Sequence, residues 1–492
     1  MPNTEKKEIM VWDKSMGNFA RLGEVPIRNL NQDYYINRSS IHYTKYKKED
    51  VVKWFTDPEA NEKNLRNASI YLYEVSPHYR RLINYFAKLH TMAYIIEPYK
   101  LDQSKKIDTA KLKETYIKIC NYIDKMNLKH EAVKILTTCF REDVFYGYVY
   151  ETTDSYYIRK MPPDYCKINR IEDGCFLYQF DFSYFTSHKE DLESFGEEFI
   201  EKYELYKTHR SMRWQSLSSK RTFCLKVNED INFPMPPFIG VFAGIFDIDD
   251  YKGLQKARTE IGNYKILSLK IPMEDGDYKM EQEDALMYYN NLLKVLPENI
   301  GAFLTPMDVE DHDFQKSGNV DIDNVGDATK TFWNDAGVCS LIFGGDKQTS
   351  ATLSVSIKSD EQMVFALMNQ FGRNINRLLK QVDGRYKFKI QFLDVTYYNQ
   401  QETYKSYLNA AQASLPTTTM ACAALGVAPI DMMNMNFLED DILHIKEKFE
   451  PLKTSYTQSS GEAGAQLRKK KANSYLTLVK IHETIIPIKN TR

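Results

Sequence analysis

The feature that most constrains this chain of 492 residues is a long amphipathic helix in its C-terminal half. Apolar side chains recur there every three or four residues, at Val364, Leu367, Phe371, Ile375, Leu378 and Val382. This spacing is the period of an α-helix with one buried face. The predicted helix, residues 358–382, would be about 37 Å long, so the rest of the fold must cover an apolar face of that length.

The segment before this helix raises the question of nucleotide binding. Residues 340–361 read SLIFGGDKQTSATLSVSIKSDE, in which two glycines and a lysine follow an apolar run. A phosphate-binding P-loop places G-K-[ST] directly after four variable residues and an earlier glycine. Here Asp346 separates Gly345 from Lys347, and Gln348 follows the lysine. The sequence therefore excludes a P-loop, and it predicts an exposed loop between two helices.

Composition and charge narrow the class of protein. Hydrophobic residues make up 43% and charged residues 27% of the chain, and 65 Lys and Arg oppose 67 Asp and Glu. A protein that wraps nucleic acid tightly shows a basic surplus, which is missing. The longest apolar run, residues 233–246, contains prolines and is too short to span a membrane. Without a secretory signal and with seven scattered cysteines, the chain is expected to be a soluble intracellular protein with reduced thiols.

Motifs for catalysis or metal binding are incomplete. HEAVK at His130 lacks the second histidine of H-E-x-x-H. The acidic stretches 247–250 and 321–326 lack ligands that a calcium loop requires, so we expect them to cap helices. The acidic residues 274–284 are expected to form a solvated turn before a helix. These patterns predict a protein that is not an enzyme and that has no metal ion or cofactor.

The order of predicted elements indicates an α+β fold. Residues 61–146 predict helices with a break at Pro77 and one short strand, and residues 147–185 predict an antiparallel meander. A helix with a thin apolar stripe follows at 249–267. Then come a strand–helix–strand insertion at 268–310, a second helix at 323–338, the loop, the long helix, a strand, small helices and a flexible tail.

This order resembles the portal protein, or head–tail connector, of tailed bacteriophages. Three stretches carry the resemblance: residues 132–168, the loop and helix at 340–382, and residues 396–433 followed by 450–464. The resemblance implies a division of the chain into nine segments. The first five are an irregular N-terminal arm (1–60), a wing of helices and an antiparallel meander (61–240), a first stem helix (241–267), a small β-α-β clip (268–310) and a second stem helix (311–338). The last four are a tunnel loop (339–356), a long tunnel helix with a wing strand (357–398), a helical crown (399–450) and a disordered tail (451–492).

The resemblance also implies a function. A portal ring of 12 subunits occupies one capsid vertex, where it serves as the channel for DNA packaging and ejection and as the attachment point of the tail. The implied partners are the subunit itself, the large terminase subunit, capsid and scaffolding proteins, a head–tail adaptor and double-stranded DNA without sequence preference, with no membrane. The implied location is the virion, after assembly in the host cytoplasm.

Site residues follow from the same resemblance. The DNA-channel loop would comprise Gly344, Gly345, Lys347, Gln348, Thr349, Ser350 and Thr352, with Lys347 as the phosphate contact. The clip would dock the packaging motor through Glu274, Asp275 and Asp277. Near-zero net charge suits DNA that slides, because each neutralised phosphate tightens binding. The alternatives are a loop that does not contact DNA, another phage head or adaptor protein, or a nucleotide-using enzyme without a recognisable motif.

Overall fold

The computed structural model describes residues 45–445, except 103, 154, 264, 271–272, 275–276, 279–283, 285–286, 289–290, 292–299, 306–323 and 344–349. The chain divides into two units, Met1–Ile430 and Asp431–Arg492. The first unit is mostly helical and contains small sheets, which are antiparallel with one exception. This architecture confirms the predicted α+β class.

The N-terminal part consists of α1 Lys48–Trp54, α2 Glu62–Val75, α3 Pro77–Ala87, β1 Tyr94–Tyr99, α4 Thr109–Lys125 and α5 Leu128–Glu142. The predicted break at Pro77 is confirmed. Ser76 caps α3 by accepting a hydrogen bond from the Tyr79 amide, and Pro77 occupies the first helical position, where no amide donor is needed. Helix α1 lies in the segment 1–60 that was predicted to be irregular, so the prediction is wrong there, and residues 1–44 lie outside the described part.

Two three-stranded sheets replace the predicted single meander. Their strands are β2 Val144–Glu151, β3 Tyr156–Lys160, β4 Cys166–Glu172, β5 Cys175–Asp181, β6 Trp214–Ser216 and β7 Thr222–Lys226. The strand orders are β3-β2-β7 and β4-β5-β6. Pro162 and Pro163 interrupt the chain between β3 and β4, and proline cannot donate to a strand ladder. Each central strand has one partner that is adjacent in sequence and one from later in the chain, which is β7 for β2 and β6 for β5.

A second core fills the space between these sheets and α6, Glu197–Thr208. It is largely aromatic, and many of its rings meet edge to face: Tyr148 and Phe199 lie 5.0 Å apart at 72°, and Phe180 and Phe199 lie 5.7 Å apart at 82°. Such edge contacts suit the charge distribution of aromatic rings. Many of the chain's tyrosines and phenylalanines are thus used in packing.

The middle of the chain contains α7 Phe242–Asn263, β8 Lys265–Lys270, β9 Met273–Glu274, β10 Asp277–Tyr278, β11 Ile300–Thr305 and α8 Asn324–Asp335. Strands β8 and β11 are parallel, from Ile300 opposite Lys265 to Thr305 opposite Lys270. The described residues 284, 287, 288 and 291 between them are helical. The described residues follow the predicted order of strand, helix and strand, with the unpredicted hairpin β9–β10 after the first strand. Helix α7 begins before the predicted start at 249, so residues 247–250 lie inside it and do not form its cap.

The long helix is α9, Ser350–Leu379. It begins at Ser350, before the predicted start at 358. The hydroxyl and β-branched residues of its first turns have a weak helix propensity, and for that reason they had indicated a loop. Phe371 and Ile375 are fully buried in the main core, which confirms the apolar stripe. Strand β12, Lys387–Phe392, pairs antiparallel with β1, and α10 Gln400–Gln412 and α11 Thr418–Ala424 follow.

Helix α12, Pro429–Asn436, follows α11. In the second unit the described part, 431–445, continues this helix and then forms the wider π-helical turn Phe437–Ile442. The predicted tail 451–492 lies outside the described residues.

Within the described residues, no single helix is long and apolar enough to cross a membrane. One bent pair, Thr418–Ala424 with Pro429–Ile442, meets the criteria of length and composition when its two members are taken together. All seven cysteines are free, and five of them are buried: Cys120, Cys139, Cys166, Cys175 and Cys224.

Candidate channel segment and the helices that hold it

The residues predicted to line a DNA channel divide into two groups. Gly344, Gly345, Lys347, Gln348 and Thr349 lie outside the described residues. The two others, Ser350 and Thr352, belong to the first turn of α9. Their assignment to a loop is therefore corrected, because the helix begins at Ser350 and only residues 344–349 separate it from the preceding turn.

The predicted docking residues of the clip lie in a short hairpin. Glu274 ends β9 and Asp277 begins β10, and their Cα positions are partners in the antiparallel register. Asp275 lies outside the described residues. The backbone positions of Glu274 and Asp277 are therefore opposite each other, and the docking role of these residues stays a prediction.

An aromatic contact fixes the turn before residue 344. The ring of Phe343 stacks on Trp333 of α8 at 3.8 Å and 7°. Tyr85 of α3 meets the same ring edge to face at 5.5 Å. The guanidinium of Arg81 lies 5.0 Å from the ring centre and donates hydrogen bonds to the carbonyls of Ile342 and Phe343, at 3.3 and 3.5 Å. Helices α3 and α8 thus hold the chain where the segment 344–349 begins.

Helix α3 also holds the chain after that segment. The Tyr85 hydroxyl donates to Asp360 Oδ2 of α9 at 2.9 Å. Burial raises the pKa of Asp360 to about 6, and the negative charge of Glu361 acts in the same direction, while the hydrogen bond from Tyr85 opposes both. Thr396 donates its hydroxyl to Glu361. One tyrosine therefore contacts Phe343 on one side of the segment and Asp360 on the other.

Polar side chains of α9 bond to the outer edge of β7. Gln370 accepts from the Lys226 amide at 3.2 Å and donates to the Lys226 carbonyl at 2.7 Å. Asn374 donates to the Cys224 carbonyl at 3.1 Å, and Arg377 donates to the Thr222 carbonyl. Since β7 ends its sheet, its unpaired backbone groups need partners, and α9 supplies them.

The same helix bonds to a second strand. Asn376 accepts from the Ile390 amide at 2.7 Å and donates to the Ile390 carbonyl at 2.9 Å. Ile390 lies in β12, which pairs with β1 on one side only. Helix α9 is thus joined by hydrogen bonds to two separate sheets, as well as by its apolar face.

A buried ion pair fixes the chain that leads to α7. Asp143, fully buried after α5, bonds to Lys226 Nζ at 2.6 Å. Its two oxygens also accept from the amides of Asn228 and Met235, at 2.8 and 3.1 Å. Burial raises the pKa of Asp143, although Lys226 acts in the opposite direction. Because a buried carboxylate requires such partners, the segment between β7 and α7 is held in one position.

A surface cleft of about 600 Å³ lies beside α2. Four of its charged groups are paired with each other: Asp164 accepts from Lys63 at 2.6 Å and from Arg66, and Arg66 also bonds to Glu62 at 3.0 Å. Among the residues described, no group of three or more His, Cys, Asp or Glu could hold a metal ion.

Sequence reasoning did not find the residues that hold the segment. Arg81 and Tyr85 lie in α3, far from residue 344 in sequence, and no local pattern links them to it. A signal did exist for the contact with β7. Gln370, Asn374 and Arg377 are spaced by four and three residues, which places three polar side chains on one stripe of the helix.

Comparisons with known proteins give only structural similarities. No family model matches the chain, and no curated protein matches it. The chain is similar to one in the neck of an empty gene transfer agent (GTA) particle computed with C6 symmetry, with a TM-score of 0.41 and 11% identity over 71% of this chain and 94% of that one. It is also similar to one in the virion of a native GTA particle, with a TM-score of 0.39 and 11% identity over 74% of this chain and 93% of that one.

Proposed function

We propose that the chain is a portal protein of a phage-like particle. The observation that carries this proposal is the arrangement of α7 and α8. These helices precede and follow the β8–β11 insertion, and they pack against each other. A helical stem that carries a small β-α-β clip has this connectivity.

The burial of α7 supports a stem. Phe242 and Ile245, in its first turn, are buried in the main core, with 0% and 1% of their surface exposed. Further along, Tyr251 and Leu254 are 38% and 58% exposed. Large apolar side chains in such positions favour coverage by another subunit. In a cyclic ring, one flank of each stem would cover the opposite flank of its neighbour.

The segment 344–349 would then line the channel. The residues on either side of it are held by α3, α8 and α9, so the segment is a short connection between stable elements. Lys347 would contact DNA phosphates, and the acidic hairpin at Glu274 and Asp277 would dock the large terminase subunit. The protein would have a structural role without catalysis. It would assemble in the host cytoplasm as a ring, with twelve subunits by analogy with portals. Its partners would be capsid, scaffolding and adaptor proteins, and it would remain in the virion.

The test is negative-stain imaging of the purified full-length protein, alone and with its capsid partners. We expect rings with a central hole. The matched variant is Tyr251→Lys with Leu254→Glu, which should convert rings into monomers with an unchanged circular-dichroism spectrum. A wild-type protein that stays monomeric at micromolar concentration under both conditions would contradict the proposal.

A further inference from the structure

Arg377 is a buried cation whose hydrogen-bonding capacity is only partly used. It is 6% exposed, and one nitrogen, Nη2, donates to the Thr222 carbonyl and lies 3.5 Å from Asn374 Oδ1. Its Nε and Nη1 atoms are buried without a hydrogen-bond partner. The hydroxyl of Thr222, a residue with 0% exposure, is also buried without a partner. Buried polar atoms without partners are rare, so several at one contact need an explanation.

The charge of Arg377 also lacks a counterion. No carboxylate in the described part of the chain forms an ion pair with it. Two carboxyl-bearing residues that contact its neighbours, Asp173 beside Cys175 and Glu229 beside Gln370, have other partners. Asp173 pairs with Lys380, while Glu229 accepts from the Gln370 amide at 2.6 Å and lies 3.8 Å from Arg373. Removing a charge from water without compensation is costly, so an unpaired buried guanidinium is not expected.

Two nearby thiols do not supply the missing negative charge. The positive charge of Arg377 acts to lower the pKa of Cys175 and of Cys224, which favours their thiolates. Burial acts more strongly, and it raises the pKa of both cysteines above the ordinary value. Both are therefore neutral thiols near pH 7.

We propose that Arg377 and Thr222 bind a small inorganic anion, of the size and charge of chloride, where α9 meets β7. The anion would accept hydrogen bonds from the guanidinium and from the Thr222 hydroxyl. A water molecule could also accept these bonds, but it has no net charge and would leave the guanidinium uncompensated. The inference does not depend on the proposed ring.

The experiment compares melting temperatures in sodium chloride and in sodium gluconate at equal ionic strength. The wild type should melt about 2–4 °C higher in chloride, because an ion that binds only the folded state stabilises it. Arg377→Met should abolish the difference, and Thr222→Val should reduce it. Arg373→Met, on the exposed side of the same helix, should keep it.

Thr222→Val has nearly the same shape as the wild-type residue, and it provides the test if Arg377→Met fails to fold. A direct measurement is the anomalous signal of bromide in crystals soaked in sodium bromide, which should place the ion beside Arg377. A melting temperature that is the same in chloride and gluconate, or a bromide map without a peak at Arg377, would overturn the proposal.

Discussion

The side-chain amide of Gln370 pairs with the backbone of Lys226 as a neighbouring strand would, accepting at 3.2 Å from its amide and donating at 2.7 Å to its carbonyl. Asn376 repeats this pairing with Ile390, at 2.7 and 2.9 Å. The two contacts complete the edges of β7 and β12 from one helix. They explain how α9 can hold two small sheets that do not share a strand.

The first prediction concerns the Gln370 contact. Gln370→Leu should lower the free energy of unfolding by about 2–4 kcal/mol, because it leaves the buried amide and carbonyl of Lys226 without partners. The measurement is urea denaturation at pH 7. Gln362→Leu is the matched control, since Gln362 is exposed on the same helix and should change stability by less than about 0.5 kcal/mol. Equal effects of the two substitutions would show that the contact has no special role.

The second prediction concerns the apolar face of α9. Phe371 is fully buried, and its ring lies 5.5 Å from those of Phe223 and Phe392. Phe371→Ala should cost about 3–5 kcal/mol through lost burial and a cavity, and it should impair assembly as well. Denaturation and sedimentation measure the two effects. Val355→Ala, at a position 70% exposed, is the control for stability and should change it by less than about 0.5 kcal/mol. A mild effect of Phe371→Ala on stability would mean that the core collapses around the gap.

The third prediction is a pH dependence caused by Asp360. Its pKa is about 6 in the folded protein and 3.8 in the unfolded reference, so the folded protein binds more protons between these values. Asp360 therefore contributes fully to stability below pH 4, and this contribution is lost as the pH rises through 6. Asp360→Asn should remove this pH-dependent loss of stability. Its stability relative to wild type should increase by about 1–3 kcal/mol from pH 4.5 to pH 7.5.

Urea denaturation across this pH range measures the effect. Tyr85→Phe provides an independent check, because it removes the hydrogen bond that lowers the pKa of Asp360 and should make the pH dependence steeper. Burial lowers the pKa of His90 to about 4, so its contribution is lost as the pH falls from 6.5. His90 is present in all three proteins, and its contribution cancels in the comparison. Parallel pH profiles for wild type and Asp360→Asn would refute the assignment.

The fourth prediction concerns the proposed channel. Lys347→Ala should alter DNA packaging or retention while folding and assembly stay almost unchanged, since surface substitutions usually cost less than about 0.5 kcal/mol. Sedimentation and a capsid packaging assay form the matched pair of measurements. Loss of assembly in this variant would exclude a channel role for the residue.

The fifth prediction concerns the acidic hairpin. Deleting residues 274–277 should leave ring assembly intact and weaken binding of the large terminase subunit, because the deletion removes Glu274 and Asp277, the proposed docking residues of the hairpin. Binding is measured with assembled rings and purified terminase. Unchanged binding would show that the motor docks elsewhere.

Most helices could be predicted because their information is local. The stripe from Val364 to Leu378 defines a buried face, and Pro77 defines a helix start. The pairing of the strands could not be predicted in the same way. Alternation of side chains identifies β3 and β4 as strands, but nothing local shows that β2 pairs with β7. A sheet edge completed from far along the chain depends on tertiary packing.

The candidate site was predicted only in outline. The glycines and hydroxyl residues before α9 indicated a connection, yet the hydroxyl residues from Ser350 onward form helix, since apolar packing further along the helix outweighs weak local preference. The residues that hold this connection, Arg81, Tyr85 and Trp333, were not recognised because each acts across a large sequence separation.

The packing of α7 against α8 has an evolutionary consequence. The chain leaves the main core along α7 and returns to it along α8, and these two helices pack against each other. Such a junction tolerates exchange of the whole inserted module. For the portal that we propose, such an exchange at the two helices would replace the surface that docks the packaging motor and leave the remainder of the protein unaltered.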